Sequence, residues 1–141
     1  MADRLVRDVM TRDVAFLPAD TTLDEAARIM RTRNIGDIVV TEGQELSGLV
    51  TDRDIVLRAV ADSRDPVGTS LREVVSRDLV AIRDSEPVDR VGALMRERAV
   101  RRVLVYDEEN ALVGIVSLGD VARSLEPESI LARISDAPPN H

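Results

Sequence analysis

Two short stretches of this 141-residue chain have the residue types and spacing to do chemistry, and they are built alike. Residues 48–54 read GLVTDRD and residues 114–120 read GIVSLGD. In each, a hydroxyl residue follows a glycine by three positions, and an aspartate follows the hydroxyl by three more. Thr51 with Asp54, and Ser117 with Asp120, fit two uses. The ordinary one is a helix cap, in which the hydroxyl accepts from a first-turn amide and the acid bonds back to the cap residue's own N–H. The other is a ligand site. A hydroxyl beside the amides of a helix start holds phosphate. A carboxylate one turn in accepts from vicinal hydroxyls, as an acidic residue does for ribose in dinucleotide-binding folds. A ligand with both groups is a nucleotide. Three features favour this second use. The acid is Asp in both copies, where Glu or Gln is the usual reciprocal partner; a strand runs straight into a helix at each motif; and both copies keep the glycine.

Other chemistry is sparse. The single histidine is the terminal His141 and there is no cysteine, so neither a Ser–His nor a Cys–His nucleophile can be assembled. Zinc sites built on those ligands go with them. No carboxylate spacing points to an active site, and the expectation is that the protein is not an enzyme. A net charge of −7 repels nucleic acid and anionic lipid, and Phe16 and Tyr106, the only aromatics, leave almost no platform for stacking bases. All 19 basic residues are arginine, as a GC-rich coding sequence would give and as bidentate phosphate contacts would favour. No apolar run approaches the ~20 residues of a membrane span. The opening MADRLVRDVM has no apolar signal region. With cysteine absent, a cytoplasmic location is expected.

The elements that must position these motifs come twice. Displaced along itself, residues 6–45 fall on 71–110. VRDVMTRDVAFL meets LREVVSRDLVAI and LDEAARIMRTRNI meets VDRVGALMRERAV; after a one-residue insertion near Asn110, LSGLVTDRDIV meets LVGIVSLGDVA. Each unit reads as strand, helix, strand, strand, helix. Val14 to Leu17 is a short apolar run. Thr22 and Glu25 have the spacing of a capping box, and Leu23, Ala26, Ala27 and Met30 form one helical face. Val88, Val91, Gly92 and Met95 repeat that face, with Pro87 at its start; the methionines are core. Asn34 or Gly36 ends the first helix. Residues 38–40 and 104–107 read as buried strands, followed by turns at 42–44 and 108–110 and by second strands. The predicted organisation is a first repeat over 1–62, a polar linker over 63–70, a second repeat over 71–126, and a C-terminal piece over 127–141 carrying Ile130, Leu131 and Ile134.

Together, the duplicated opening, the helix with its Ala and Met, and the Gly-x-x-[Ser/Thr]-x-x-Asp ending resemble the tandem CBS domain, or Bateman module, in its stand-alone bacterial two-repeat form. The resemblance covers about residues 5–125. It implies an α/β (α+β) fold of two pseudo-twofold-related β-α-β-β-α repeats with two adenosyl-ligand clefts, commonly dimerised through helices. It further implies Asp54 and Asp120 on ribose hydroxyls, and Thr51 and Ser117 on phosphate. The backbone around Ile35, Gly36 and Asp37, and around Val100, Arg101 and Arg102, would frame adenine. Family members usually carry a proline in the middle strand, where this chain has Val39 and Leu104.

The resemblance also implies unequal clefts. Arg101 matches Gly36, and Arg53 matches Gly119. In the family the residue before the ribose aspartate tends to reach the other repeat's cleft, so Arg53 and Arg101 would both serve Ser117 and Asp120. AMP, ADP or ATP is then expected there as a regulatory ligand, with no cofactor required. The Asp54 cleft is left empty, weaker, or fit for a less anionic adenosyl compound. The functional expectation is an adenine-nucleotide sensor that signals to an effector protein or across a homodimer, whose helix faces would include Ile55, Val56, Val121 and Leu125. The alternatives are a ligand-independent scaffold, or a binder of S-adenosylmethionine or NAD.

Overall fold

The computed structural model describes residues 4–125. The sequence readings at His141 and at Ile130, Leu131 and Ile134 lie outside the described residues. The elements are α1 (Val6–Val9), β1 (Phe16–Pro18), α2 (Leu23–Arg33), β2 (Asp37–Glu42), β3 (Glu45–Thr51), α3 (Asp52–Ile55) continuing as a π-helical stretch over Val56–Val60, a 3-10 turn (Leu71–Glu73), β4 (Ala81–Arg83), α4 (Val88–Arg98), β5 (Arg102–Tyr106), β6 (Leu112–Ser117) and α5 (Leu118–Leu125). The predicted strand–helix–strand–strand–helix order occurs twice.

The chain divides into two compact units, one of Val14–Leu79 and one in which residues 4–13 join 80–125. Each is a three-stranded sheet, β1-β2-β3 or β4-β5-β6, with the first pair parallel and the second antiparallel. Both hairpins shift register at the same place, between Val40 and Thr41 and between Val105 and Tyr106. The inner strands are fully buried runs, as helix-covered strands should be: Ile38, Val39 and Val40 in one unit, Val103, Leu104 and Val105 in the other. On the covering helices Leu23, Ala26 and Met30, and Val88, Val91 and Met95, point into the two cores. Ala27, expected on that face, is exposed.

The opening segment of each sequence repeat packs in the unit built mainly from the other. Thr11 pairs with Ile115 of β6, and Ser76 pairs with Leu49 of β3. This explains the glycine three residues before each hydroxyl. A Cβ at Gly48 would collide with the Ser76 carbonyl oxygen and lie 2.5 Å from Val75 Cγ2; one at Gly114 would lie 2.6 Å from Met10 Sδ. The glycines admit a crossing backbone, so they are no argument for a ligand.

Backbone just ahead of those crossing segments corrects the predicted capping box at Thr22 and Glu25. Thr22 is the N-cap of α2, but its hydroxyl donates to Asp24 Oδ1 at 2.6 Å instead of accepting from the helix. The first amides of α2 are met by backbone: Leu23 N–H donates to Thr69 C=O and Asp24 N–H to Pro66 C=O. In α4, Val88 N–H donates likewise to Arg4 C=O. Orphan donors satisfied by chain carbonyls need no side-chain cap. At the far ends Asn34 (φ 55°) and Ala99 (φ 55°) take the left-handed conformation, so Asn34, and not Gly36, closes α2.

Of the helix positions expected to form a dimer face, Ile55 packs against the core of its own unit and Val121 is 5% exposed in the other core. Val56 is exposed, and it is joined by Leu57 and Val60 on the π-helical stretch.

Candidate functional site

Both heptapeptides fold into a strand end feeding a helix, and both close the cap. Asp54 N–H donates to Thr51 Oγ1 at 3.1 Å while Thr51 N–H donates to Asp54 Oδ2 at 2.8 Å. Asp120 N–H donates to Ser117 Oγ at 3.2 Å while Ser117 N–H donates to Asp120 Oδ2 at 2.9 Å. The acid reaches back to the cap amide although it is Asp, so residue type alone did not separate the two uses of the motif. One oxygen of each carboxylate is committed to backbone; the other, Oδ1, faces different company in the two units.

The loops predicted to frame a ligand base are fastened to these helix starts. Asp52 N–H donates to Gly36 C=O at 3.0 Å, and Leu118 N–H donates to Arg101 C=O at 2.9 Å. Asp37 stands opposite Thr51 in the β2–β3 register, and Arg102 stands opposite Ser117 in the β5–β6 register. The structure therefore gathers Ile35, Gly36, Asp37, Thr51 and Asp54 at one helix mouth, and Val100, Arg101, Arg102, Ser117 and Asp120 at the other. Arg53 is exposed on α3, in the unit of Thr51 and Asp54.

The helix-start amides expected to hold phosphate are spent at both mouths: at α5 Leu118 N–H goes to Arg101 C=O and Asp120 N–H to the Ser117 hydroxyl, and at α3 a third is taken as well. Asp52 N–H goes to Gly36, Arg53 N–H donates to Asp52 Oδ1 at 2.8 Å, and Asp54 N–H goes to the Thr51 hydroxyl. The Asp52 carboxylate also overlies Gly36, where a Cβ would sit 3.4 Å from Oδ2. Three acidic residues, Asp37, Asp52 and Asp54, thus fall at this mouth, together with Arg53 on α3 and Arg58, whose Nε is 4.0 Å from Asp54 Oδ1. At α5 the matched residues are Arg102, Leu118 and Asp120, with Arg101 in place of Gly36. Acidic residues at the α3 positions thus give way to arginine and leucine at the matched α5 positions. Comparing matched positions 37/102 and 52/118 would have revealed this from sequence; Asp37 and Arg102 were expected to act through their backbone, and Asp52 and Leu118 carried no expectation.

A second asymmetry lies one turn further along each helix. Arg123 Nη2 donates to Asp120 Oδ1 at 2.6 Å, and Asp120 is 9% exposed. In the other unit Arg58, one position further from its aspartate, keeps its Nε 4.0 Å from Asp54 Oδ1 and turns Nη1 to the carbonyls of Val74 (3.1 Å) and Val75 (3.4 Å). Asp120 and Arg123 also line a pocket of about 190 Å³ with Arg4, Asp8, Val9 and Ser124. Among the described residues no group of three or more acidic, histidine or cysteine side chains is arranged to hold a metal ion. No helix among them is long and apolar enough to cross a membrane.

A model of the CBS domain matches residues 6–61 and again 71–127. The chain belongs to the CBS domain family. Its two CBS repeats account for the duplicated elements above. The chain is 42% identical over 117 residues to the CBS domain-containing protein YhcV of Bacillus subtilis (strain 168), spanning 83% of this chain and 82% of that protein. It also resembles the crystal structure of the CBS domain pair of protein MJ0100 in complex with 5′-methylthioadenosine and S-adenosyl-L-methionine. The TM-score is 0.76 and the identity 26%, over 89% of this chain and 98% of that one. Inosine-5′-monophosphate dehydrogenase of Methanocaldococcus jannaschii is 29% identical over 117 residues, but these are only 22% of the enzyme, so the likeness is to its CBS part. CBS pairs are regulatory modules that often bind adenosyl ligands, and stand-alone CBS proteins are not themselves enzymes.

Proposed function

We propose that this protein is a regulatory sensor that binds an adenine nucleotide, AMP, ADP or ATP, at the mouth of α5. In this reading Asp120 accepts from the ribose hydroxyls. Ser117 and the guanidinium groups of Arg101 and Arg102 hold phosphate, and the backbone of Val100–Arg102 lies along adenine. The observation that carries it is the difference at matched positions of the two helix mouths, Asp37, Asp52 and Gly36 against Arg102, Leu118 and Arg101, which brings arginines to the α5 mouth for a phosphate. The Asp54 mouth, with Asp37 and Asp52, suits a less anionic adenosyl compound such as the sulfonium S-adenosylmethionine, or stays empty. The adenosyl ligands of the MJ0100 pair support the ligand class. The signal passes to an effector protein or to a second copy of the chain; exposed Val56, Leu57 and Val60 offer apolar surface for a homodimer.

The completed capping boxes favour a second reading, a ligand-independent scaffold in which both aspartates serve only their own helices. Thermal melting separates the two. With AMP, ATP, S-adenosylmethionine or NAD at a hundredfold over its dissociation constant, a binder gains about 2.7 kcal/mol. For a chain of this size that raises the melting temperature by roughly 5–10 °C. AMP or ATP should give the larger shift, and Arg101→Ala should reduce it. Arg53→Ala tests whether that residue serves the same ligand. No shift with any of the four compounds leaves the scaffold reading standing.

A further inference from the structure

The carboxylate assigned to ribose at the α5 mouth already has a partner on its outer oxygen. Asp120 Oδ2 accepts from Ser117 N–H, and Oδ1 accepts from Arg123 Nη2 at 2.6 Å. A vicinal diol needs that same outer oxygen. At the matched aspartate the outer oxygen is not held in this way, since Arg58 Nε stands 4.0 Å away and its Nη1 is spent on the Val74 and Val75 carbonyls. Asp120 is nine-tenths buried while the Arg123 side chain is 38% exposed, so the pair is only partly screened by solvent.

We propose that Arg123 is a specificity-determining latch: it occupies the ribose-accepting oxygen of Asp120, so that only a ligand bringing its own negative charge displaces it. This inference rests on the nucleotide reading of the α5 mouth. A diol that takes Oδ1 breaks the Arg123–Asp120 pair, at a helix start whose adjoining loop and strand already bring Arg101 and Arg102. A neutral nucleoside brings nothing to offset that separation of charge. A 5′-phosphate does, because the released cation and the two loop arginines then face an anion. Arg123 lines a pocket with Arg4, Asp8, Val9 and Ser124, which offers the displaced guanidinium space to turn into. Arg123 therefore acts through Asp120: it sets which ligands gain access and has no part in holding adenine.

The test is calorimetric titration of the full chain with adenosine and with AMP, for the wild type, Arg123→Gln and Arg123→Lys. The wild type should favour AMP over adenosine by at least about tenfold, the equivalent of one charge-assisted hydrogen bond. Arg123→Gln should bind adenosine roughly tenfold more tightly than the wild type, with AMP unchanged or weaker, so that the preference collapses. Arg123→Lys, which keeps the charge, should restore most of the preference. A merely structural role for Arg123 would weaken both ligands in parallel and leave their ratio intact. If AMP binds and the ratio in Arg123→Gln equals that of the wild type, the latch is overturned and the nucleotide reading survives. If neither compound binds any of the three proteins, both fall together.

Discussion

Asp54 and Asp120 occupy matched places in two copies of one design, close the same capping box, and then part company. Near Asp54 stand Asp37, Asp52, Arg53 and Arg58, with Gly36 in the loop; near Asp120 stand Arg101 and Arg102 in the adjoining loop and strand and Arg123 on its outer oxygen, with Leu118 at the helix start. What the copies share is what backbone geometry demands: a glycine where another segment crosses, a hydroxyl and an acid where a strand turns into a helix. What they do not share is charge at positions the backbone leaves free. The difference separates scaffold from function within one chain. The repeated residues mostly build, and a ligand would be chosen by the residues that diverged.

The largest effects should come from the shared scaffold. Gly48→Ala drives a methyl into the Ser76 carbonyl, which is main chain held on both sides by pairing with Leu49. Gly114→Ala meets first the sulfur of Met10, the end of a flexible side chain, and then Thr11 O at 2.9 Å. Chemical denaturation should show a loss of about 2–3 kcal/mol for Gly48→Ala and about 1–2 kcal/mol for Gly114→Ala. Equal losses would mean that the two crossings are equally rigid, and the contrast between backbone and methionine would be wrong.

Next come the hydroxyls. Thr51→Ala and Ser117→Ala each remove an N-cap acceptor, and each should cost about 1 kcal/mol of stability. The comparison is sharpened by measuring AMP affinity on the same two variants. Under the proposed function Ser117→Ala also weakens AMP, whereas Thr51→Ala leaves it alone. Parallel losses in stability with no difference in binding would return both motifs to simple capping.

The helix ends differ by less. Asn34 and Ala99 hold the same left-handed conformation, but only asparagine tolerates it well. Replacing Ala99 with Gly should stabilise the protein by about 0.5 kcal/mol, the steric relief exceeding the entropy lost by glycine. Asn34→Ala should destabilise it by about 0.5–1 kcal/mol. The midpoints of urea unfolding measure both, and shifts of the same sign would break the argument.

Much of the fold was legible in the residues. The duplicated order of elements, the buried valine-rich strands and the helix faces of Leu23, Ala26 and Met30 follow from periodicity, which is a local property. What was not legible is what depends on chain meeting chain far apart in sequence. The carbonyls of Pro66, Thr69 and Arg4 cap helices whose own first residues gave a different expectation at Thr22. The reason for Gly48 lies at Ser76, and the reason for Gly114 lies at Met10. The candidate site divides in the same way. Thr51, Asp54, Ser117 and Asp120 stand out by repetition, and Arg101 stands out against Gly36. Arg123, one turn beyond the motif, has no repeated pattern to mark it, because Leu57 is its counterpart.

The smallest effect concerns the start of α2, where the two copies differ as Thr22 against Pro87. The Thr22 hydroxyl donates to Asp24, and this bond outweighs the opposing push of desolvation; with smaller contributions from Arg28 and the Glu25 amide it holds the Asp24 carboxyl below the usual aspartate range. A carboxyl whose pKa is lowered on folding contributes stability above its unfolded value of about 3.9, and that contribution disappears as the pH falls through the folded value. The protein should therefore show a faint loss of stability from this residue only below about pH 4, because Asp24 is solvent-facing and its interactions are screened. Thr22→Val keeps the shape of the cap residue and removes the donor, so the Asp24 midpoint, followed by NMR titration, should rise toward the ordinary range. The helix itself should hold, since its first amides bond to Thr69 and Pro66 and not to the Thr22 side chain. An unchanged midpoint would assign the shift to Arg28. A melted first turn would show that the hydroxyl caps the helix after all, and the contrast drawn here between side-chain caps at the two motifs and backbone caps at α2 and α4 would fail.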